Sequence, residues 1–496
     1  MSLSIIYTRA RYGVDAPLIT VEVHLSNGLP SLSIVGMPEA VVKESKDRVR
    51  SALINSQFEF PARRITINLA PADLPKEGSR FDLPIAIGIL VASHQIPADT
   101  IAQSEFVGEL ALSGELRDVS AILPTAIACH NEQRALFTSS ANAAEAALCE
   151  NSTNYGAKTL LDICQHLHGV QQIEASQALP IQETQSSIDF ADVKGQPFAK
   201  RALEITAAGG HNLLMYGSPG TGKTMLASRL PSIMPTLSSE QSIEVASIYS
   251  LCGKNNKHWT TPPFRHPHHS SSAVALVGGG SYPKPGEISL AHHGVLFLDE
   301  CPEFPRQVLE VLREPMESGE INISRANAQV VFPAAFTLVA ALNPCPCGYF
   351  GSTSNKHLCR CAPDQIRRYR QKISGPLLDR IDLHVPVAHT RMSELQTLPT
   401  GESSEVIRQR VNAAKAIQEQ RQQKCNARLN KQELKEICRL PRQTQSFLET
   451  AVDTLGLSAR AYDRILKTAR TIADLKGNKE IGKADLSEAV SFRNFE

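Results

Sequence analysis

The sequence predicts an α/β protein whose central domain contains a parallel sheet. An apolar run at residues 213–216 leads into a glycine-rich loop and then into a helical segment. Two further apolar runs, 295–298 and 337–342, each end in polar residues. Strand-like and helix-like patterns alternate over 1–170, and helical periodicity dominates after Ser403. Together these patterns favour a parallel sheet flanked by helices, with a mixed domain before it and a helical domain after it.

The glycine-rich loop matches the phosphate-binding pattern G-x-x-x-x-G-K-S/T at every fixed position. Its glycines let the backbone curl so that N–H groups face phosphate oxygens, and the end of the next helix adds positive potential. That helix is expected over 225–230, with Pro231 ending it. A glycine-rich turn without a ligand is the alternative. We predict that ATP is bound by Gly217, Ser218, Pro219, Gly220, Thr221, Gly222, Lys223 and Thr224.

The residues that act on the triphosphate are expected at the ends of the apolar runs. Lys223 should hold the β- and γ-phosphates, and Thr224 should bind Mg²⁺. Because strand ends beside such a loop face the phosphates, Asp299 is assigned to Mg²⁺ and Glu300 to the attacking water. Asn343 should position that water and sense the γ-phosphate, although alone it would suggest a turn.

An arginine after an apolar pair forms a further candidate. Arg380 ends the sequence Leu-Leu-Asp-Arg at 377–380. A surface salt bridge with Asp379 or Asp382 is the alternative to a catalytic role.

These motifs together resemble the AAA+ ATPases of the magnesium-chelatase and MCM-helicase branch. Three segments, 264–270, 283–300 and 343–348, resemble the ComM/YifB family, and the similarity runs over essentially the whole chain. The resemblance implies a Lon-protease-like (ribosomal S5 domain 2-like) α+β domain, an AAA+ P-loop α/β domain and a C-terminal helical lid. We assign the Lon-like domain to 1–170, a polar linker to 171–187, the ATPase domain to 188–390 and the lid to 391–496.

The resemblance also assigns residues to an active site shared between subunits. Arg380 matches the arginine finger that reaches a neighbour's nucleotide, and Arg460 matches the second sensor on the lid. Val193 and Gly195 lie in the stretch that brackets the adenine. The family implies a homo-hexameric ring, in which an arginine finger contributes about 10³–10⁵ in rate. An isolated subunit should therefore be a poor ATPase.

Composition restricts the partners. The 496 residues are 42% hydrophobic and 20% charged, with no signal-peptide pattern and no run of about 18 apolar residues. We therefore expect a cytoplasmic protein with no membrane partner. The net charge of +1 gives no general affinity for nucleic acid, so any DNA contact must be local. The odd number of cysteines, 11, argues against a disulfide framework.

The segment 320–332 carries the prediction of a nucleic-acid substrate. It alternates on both sides of Ser-Arg-Ala-Asn, which indicates a β-hairpin with Arg325 near its tip. In MCM-like helicases this position grips DNA phosphates inside the pore, and Lys284 matches the tip of a second insert. Solvated loop charges are the alternative. The implied partners are single-stranded, double-stranded and branched DNA, with recombinase–DNA filaments as a further candidate.

A cysteine-rich insert at 345–361 suggests a second metal. Four thiolates in a reducing compartment suit tetrahedral Zn²⁺, although the C-x-C spacing is unusual and His357 is an alternative ligand. Thiols without a metal are the other interpretation. The proposed zinc ligands are Cys345, Cys347, Cys359 and Cys361.

Two other motifs contain residue types that can carry chemistry. In the Lon-like domain, the protease's serine and lysine align with Asp82 and near Leu123, and neither residue can perform that chemistry, so we expect a scaffold without protease activity. Ser79 lies close by, without a lysine to activate it. His266 and His268–His269 are too tightly spaced to share one ion, and a structural role is favoured over a phosphate-proximal one.

The sequence therefore predicts a hexameric ATP-driven DNA translocase and helicase. Its resemblance to the ComM/YifB family implies branch migration of recombination intermediates during natural transformation. A chelatase-type motor that remodels a protein partner, and a Lon-like ATP-dependent protease, are the alternatives.

Overall fold

The computed structural model describes residues 2–37, 39–177, 188–254, 260–280, 283–325, 328–351, 358–390 and 398–493. The chain divides into two compact units. The first contains 1–182, 242–259 and 328–331, and the second contains 183–241, 260–327 and 332–496.

The first unit is an α+β assembly built on a mixed sheet. Its strands are β1 (Ser2–Arg9), β2 (Leu18–Ser26), β3 (Ser31–Val35), β4 (Arg64–Ala70), β5 (Ser104–Phe106), β6 (Glu109–Leu110), β7 (Leu116–Arg117), β8 (Ala135–Ser139) and β9 (Asn154–Ala157). Its helices are α1 (Ala40–Asn55), α2 (Asp82–Ala92), α3 (Ile122–Asn131), α4 (Ser140–Ala146) and α5 (Leu160–Leu167). Seven strands form one sheet in the order β3-β4-β2-β1-β5-β8-β9, and β6 pairs with β7.

Alternation along β2 explains how this sheet forms its core. Val21, Val23 and Leu25 are buried, while their neighbours face the partly exposed side. The period-two pattern of the sequence is thus confirmed. Helix α2 packs on this face, and all of its residues are buried.

The second unit combines a parallel sheet with a helical region. Its strands are β10 (Leu213–Tyr216), β11 (Phe264–Arg265), β12 (Gly278–Gly279), β13 (Lys284–Pro285), β14 (Val295–Leu298), β15 (Glu320–Arg325), β16 (Ala328–Pro333), β17 (Thr337–Leu342) and β18 (Leu383–Pro386). Its helices are α6 (Pro197–Gly209), α7 (Lys223–Ile233), α8 (Ser239–Leu251), α9 (Ala273–Val277), α10 (Glu287–Leu290), α11 (Arg306–Glu310), α12 (Pro315–Ser318), α13 (Pro363–Arg370), α14 (Gly375–Leu378), α15 (Ser404–Gln422), α16 (Lys431–Ile437), α17 (Arg442–Thr454), α18 (Ala459–Leu475) and α19 (Lys483–Ser491). Parts of α8 and β16 fall within the first unit.

Five strands of the second unit form a wholly parallel sheet in the order β11-β14-β17-β10-β18. The runs at β10, β14 and β17 are almost entirely buried, as expected of parallel strands covered on both faces. Their carboxyl ends share one edge, which is where ligands bind in open α/β sheets.

The helical region shares one hydrophobic core with this sheet. The predicted apolar face of α18, which includes Ile465, Ala469 and Ile472, packs in the same cluster as Leu213 and Val339. The sheet and the later helices therefore belong to one compact unit. The predicted domain boundaries are not tested by this division, and residues 178–187 of the predicted linker lie outside the described residues.

One predicted boundary is wrong. Helix α7 does not stop at Pro231 but continues to Ile233. Proline lacks an N–H and so removes one intrahelical hydrogen bond, but the last turn is closed by Met234 N–H donating to Leu230 O at 3.2 Å. Near a helix end this loss is tolerated.

Within the described residues, no helix combines the length and the apolar character needed to span a bilayer.

Candidate nucleotide-binding site

The phosphate-binding loop joins β10 to α7 at the carboxyl edge of the sheet. Gly220 and Gly222 have φ values of 76° and 89°, which favour glycine. A Cβ atom on Gly217 would lie 2.4 Å from the Val387 carbonyl oxygen, so a side chain is excluded there as well. The glycines of the pattern are therefore required by the backbone itself.

Lys223 is the centre of the site. It begins α7, and its Nζ donates to the carbonyl oxygens of Gly217 at 2.7 Å and Ser218 at 3.0 Å, and to Asn343 Oδ1 at 3.2 Å. Burial lowers the pKa of Lys223, and the carboxylates of Asp299 and Glu300 oppose that effect. A buried ammonium that donates to three neutral oxygens is suited to receive phosphate oxygens.

The residues assigned to Mg²⁺ are in direct contact. Thr224 Oγ1 donates to Asp299 Oδ2 at 2.6 Å, and the Glu300 N–H donates to Asp299 Oδ1 at 2.9 Å. A hydroxyl and a carboxylate are hard oxygen ligands, which Mg²⁺ prefers. The donor set therefore fits the ion, and the three strand ends meet as the sequence predicted.

Glu300 has a partner that the sequence analysis did not foresee. Its backbone φ of 50° places it in the left-handed region directly after Asp299. His269 Nδ1 lies 3.5 Å from Glu300 Oε2. Of the other histidines, His266 packs against Phe297 with ring centroids 4.8 Å apart. The expected structural role suits His266, whereas His269 reaches the residue assigned to the attacking water.

Among the described ion pairs, Arg380 pairs with neither Asp379 nor Asp382, the partners that the sequence suggested. Its Nη2 pairs with Glu317 Oε1 at 2.8 Å, and its Nη1 donates to Pro376 O at 2.8 Å. Nothing in the sequence indicated Glu317, because no sequence spacing links α12 to the segment that follows α14. Arg460 is exposed at the beginning of α18.

The two residues assigned to the adenine differ in their surroundings. Val193 is fully buried in the core of the second unit. Gly195 has a φ of 68°. Their role in binding adenine remains a prediction.

The four cysteines of the insert come together. Their Sγ atoms all lie within 4.8 Å of one another, with Cys345 Sγ 3.3 Å from that of Cys347 and 3.7 Å from that of Cys359. A tetrahedral zinc with Zn–S bonds of about 2.3 Å requires sulfurs about 3.8 Å apart. The Tyr349 backbone N–H lowers the pKa of Cys347 to about 6. The unusual C-x-C spacing thus does not prevent convergence; His357 lies outside the described residues.

The two strands of the predicted hairpin are present, and residues 326–327 between them lie outside the described residues. Strands β15 and β16 form a two-stranded sheet of their own, and Arg325 is the last residue of β15. The side chain of Arg325 lies outside the described part of the structure. Lys284 is exposed in β13, where its backbone pairs with that of Gly279.

The residues aligned with the protease dyad are both buried. Asp82 forms a two-point ion pair with Arg48, with Nε–Oδ2 and Nη2–Oδ1 distances of 2.8 and 3.1 Å. Leu123 is fully buried in an apolar cluster. Ser79 Oγ donates to Glu109 rather than to a basic group.

Comparison with known proteins agrees with this arrangement. The family described as "Magnesium chelatase, subunit ChlI" matches residues 189–395, "Subunit ChlI of Mg-chelatase" matches 21–142, and its C-terminal family matches 401–493. "Competence protein ComM" of Haemophilus influenzae is 52% identical over 99% of this chain and 98% of its own. YifB of Escherichia coli is 50% identical over 99% of this chain and 97% of its own.

A magnesium-chelatase 38 kDa subunit of Rhodobacter capsulatus is 24% identical over 62% of this chain and 87% of its own. Similarity over the whole chain is thus found with ComM and YifB, whereas this chelatase subunit matches a part of it. The chain belongs to the ComM/YifB family of magnesium-chelatase-like proteins.

Proposed function

We propose that this protein is an ATP-driven DNA translocase and helicase that moves branch points during natural transformation. The observation that carries the proposal is the contact network of Lys223, Thr224, Asp299 and Asn343 in a chain related over its full length to a competence protein. Family membership implies ATP and Mg²⁺. Work on recombination intermediates would require a cytoplasmic protein.

Hydrolysis would proceed by positioning and charge stabilisation. When bound, Mg²⁺ supplies charge neutralisation at the β- and γ-phosphates. Lys223 would hold those phosphates, and Glu300 would accept the proton of the attacking water. Asn343 lies within hydrogen-bond distance of Lys223 and would keep that water aligned with the γ-phosphate.

A neighbouring subunit would complete each site. Arg380 is held by Glu317 and is not a member of its own subunit's Lys223 network. We propose that it reaches the triphosphate of the adjacent subunit in a hexameric ring, and that Arg460 on α18 senses the nucleotide. Arginine fingers contribute about 10³–10⁵ in rate, so assembly would control hydrolysis.

DNA would be gripped inside the ring by the cations of two inserts. Lys284 is exposed, and Arg325 ends the first strand of the hairpin. Cationic contacts to phosphates do not depend on sequence, as translocation requires. The substrates would be single-stranded, double-stranded and branched DNA, including recombinase–DNA filaments.

The direct test is strand displacement on a three-strand junction with ATP. The protein should displace the strand, Lys223→Ala should not, and Arg325→Ala and Lys284→Ala should bind ATP but displace more slowly. Arg442→Ala removes an exposed arginine elsewhere in the second unit and serves as the charge-matched control. Unchanged displacement by Arg325→Ala would refute its contact with DNA.

The same preparation separates the two alternative functions. Casein degradation with ATP would indicate a Lon-like protease, against which the buried Asp82–Arg48 ion pair argues. ATP hydrolysis that ignores DNA but responds to a protein partner would indicate a chelatase-type motor. Either result, without strand displacement, would overturn the helicase assignment.

We also propose that Cys345, Cys347, Cys359 and Cys361 hold a structural Zn²⁺. Their convergence supports this donor set, and thiolates are ligands that zinc prefers. Metal analysis of the purified chain should find one zinc per subunit, and Cys359→Ser should lose it. Cys425→Ser, outside the cluster, should keep it. Zinc well below one per subunit in the unmodified protein would refute the site.

A further inference from the structure

The first unit contains a cavity that the proposed ATPase chemistry does not use. It has a volume of about 260 Å³ and lies beside the residues that precede α2 and α3. Its wall includes Arg11, Glu77, Ser79, Arg80 and Glu109. The cavity is lined largely by polar and charged side chains, which is the composition of a site for a polar ligand rather than of a packing defect.

Arg80 is the unusual member of this wall. Only 5% of the residue is exposed. Its Nη2 donates to Thr125 Oγ1 at 2.9 Å, whereas its Nε has no hydrogen-bond acceptor in the part of the chain that the structure describes. Among the described residues, no carboxylate forms an ion pair with it. Burial and the positive charge of Arg11 lower the pKa of Arg80 to about 10. A buried guanidinium is costly unless an anion pairs with it.

The acidic residues of the wall are already engaged. Glu77 Oε2 accepts from Arg11 Nη2 at 3.0 Å. The Glu109 carboxylate accepts from Ser79 Oγ, and its Oε1 lies 3.5 Å from Arg117 Nη1. Asp118 accepts from Ser139 Oγ at 2.6 Å. Among the described residues none of these acids forms an ion pair with Arg80, although all three lie on the same cavity.

The charges on the wall restrict the ligand. Three carboxylates would repel a multiply charged phosphate, whereas the single charge of a carboxylate could pair with the Arg80 guanidinium. Within the described ranges, the Glu109 carboxylate contacts the Ser79 hydroxyl and, at 3.5 Å, the Arg117 guanidinium, and it would accept from an ammonium group. The cavity volume of about 260 Å³ exceeds the roughly 150 Å³ that holds a benzene molecule, so a small zwitterion fits within it.

We propose that this cavity binds a small amino acid-like zwitterion, with Arg80 as the partner of its carboxylate and Glu109 as the partner of its ammonium. The ligand would stabilise the first unit by supplying a counter-charge in direct contact with Arg80. This assignment does not depend on ATP hydrolysis or on DNA.

The test compares three probes by thermal unfolding and titration calorimetry on the full chain. L-alanine should bind best, propionate more weakly because it lacks the ammonium, and inorganic phosphate not at all. Saturating L-alanine should raise the unfolding temperature of the first unit by about 2–4 °C. Arg80→Met should abolish both carboxylate signals, while Arg63→Met, an exposed arginine of the same unit, should keep them.

Two further readouts keep the proposal testable. Without ligand, Arg80→Met should unfold at the same or a higher temperature than the unmodified chain, because it removes an unpaired buried charge. Glu109→Gln should keep propionate binding but lose the preference for L-alanine, which remains informative if Arg80→Met does not fold. Binding of phosphate alone, no binding of either carboxylate, or alanine binding unchanged by Glu109→Gln would each overturn the assignment.

Discussion

At the scale of single residues, Lys223 connects the phosphate-binding loop to Asn343, the residue that follows β17. Its Nζ bridges two loop carbonyls and Asn343, so its removal takes away the charge that faces the phosphates. Lys223→Ala should reduce steady-state ATP hydrolysis by about 10²–10³, as loss of one preorganised charge-stabilising donor does elsewhere. Lys431→Ala, on an exposed helix end, should hydrolyse normally. Hydrolysis by Lys223→Ala at the normal rate would contradict the site.

Glu300 and His269 allow a second prediction at the same scale. Glu300→Gln should retain ATP and release almost no product, because an amide cannot accept the proton of the attacking water. His269→Ala should slow hydrolysis by only about two- to fivefold, because a half-exposed polar contact of this kind is worth about 0.2–1 kcal/mol. Single-turnover product formation measures both. If the rate of product formation falls equally in the two variants, His269 does more than position Glu300.

Much of this site was predictable from the sequence, and the reason is geometric. Asp299, Glu300 and Asn343 each follow a buried strand, and the carboxyl ends of parallel strands meet at one edge. The contacts of His269 with Glu300 and of Glu317 with Arg380 were not predictable. They join loops and short helices whose paths depend on tertiary packing, and no periodic pattern in the sequence records such a pairing.

At the scale of elements, a buried acid joins α18 to the beginning of β18. Asp382 is fully buried, with Arg464 Nη1 3.0 Å from its Oδ1 and His211 Nδ1 3.6 Å from its Oδ2. Burial by itself would raise the pKa of Asp382, but Arg464 and His211 hold it well below its usual range. The charged carboxylate therefore contributes to the stability of the second unit.

Asp382→Asn should lower the free energy of unfolding by about 3–5 kcal/mol at neutral pH, because it leaves Arg464 without its buried partner. Since the pKa of Asp382 is lower in the folded chain, its contribution is full above the unfolded pKa of about 4 and is lost as the pH falls further. The measurement is the difference in melting temperature between the unmodified chain and the variant, from neutral pH down to acid.

That difference should be constant at neutral pH and should shrink in acid. Asp453→Asn, at an exposed position of α17, should show little difference at any pH. If the difference in melting temperature between Asp382→Asn and the unmodified chain grows in acid, the stabilising role of the Asp382 carboxylate is contradicted. The sequence predicted the apolar face of α18 from its spacing, but Arg464, on another side of the helix, carried no such signal.

At the scale of the whole molecule, Arg380 and Lys223 are expected to act on different subunits. Lys223→Ala lacks a working triphosphate site but keeps its arginine, and Arg380→Ala has the opposite defect. Each variant alone should be nearly inactive. Mixed rings would pair an intact site with an intact arginine, so the mixture should hydrolyse ATP faster than the sum of its parts.

Arg368→Ala, at an exposed arginine of α13, should be active alone and serves as the control for losing a surface charge. Sedimentation should first show that the assemblies contain both variants. If such assemblies hydrolyse ATP only at the summed rate of the separate variants, a site shared between subunits is contradicted. The ring itself could not be predicted from one chain's packing, because an interface between copies leaves no period in the sequence. Its prediction rested on the resemblance to a family.

We propose that ATP hydrolysis by this chain is coupled to DNA, and the steady-state hydrolysis rate with and without a three-strand junction measures that coupling. We expect a several-fold higher rate when the junction is present, and Lys223→Ala should abolish it. Hydrolysis at the same rate with and without DNA would contradict it.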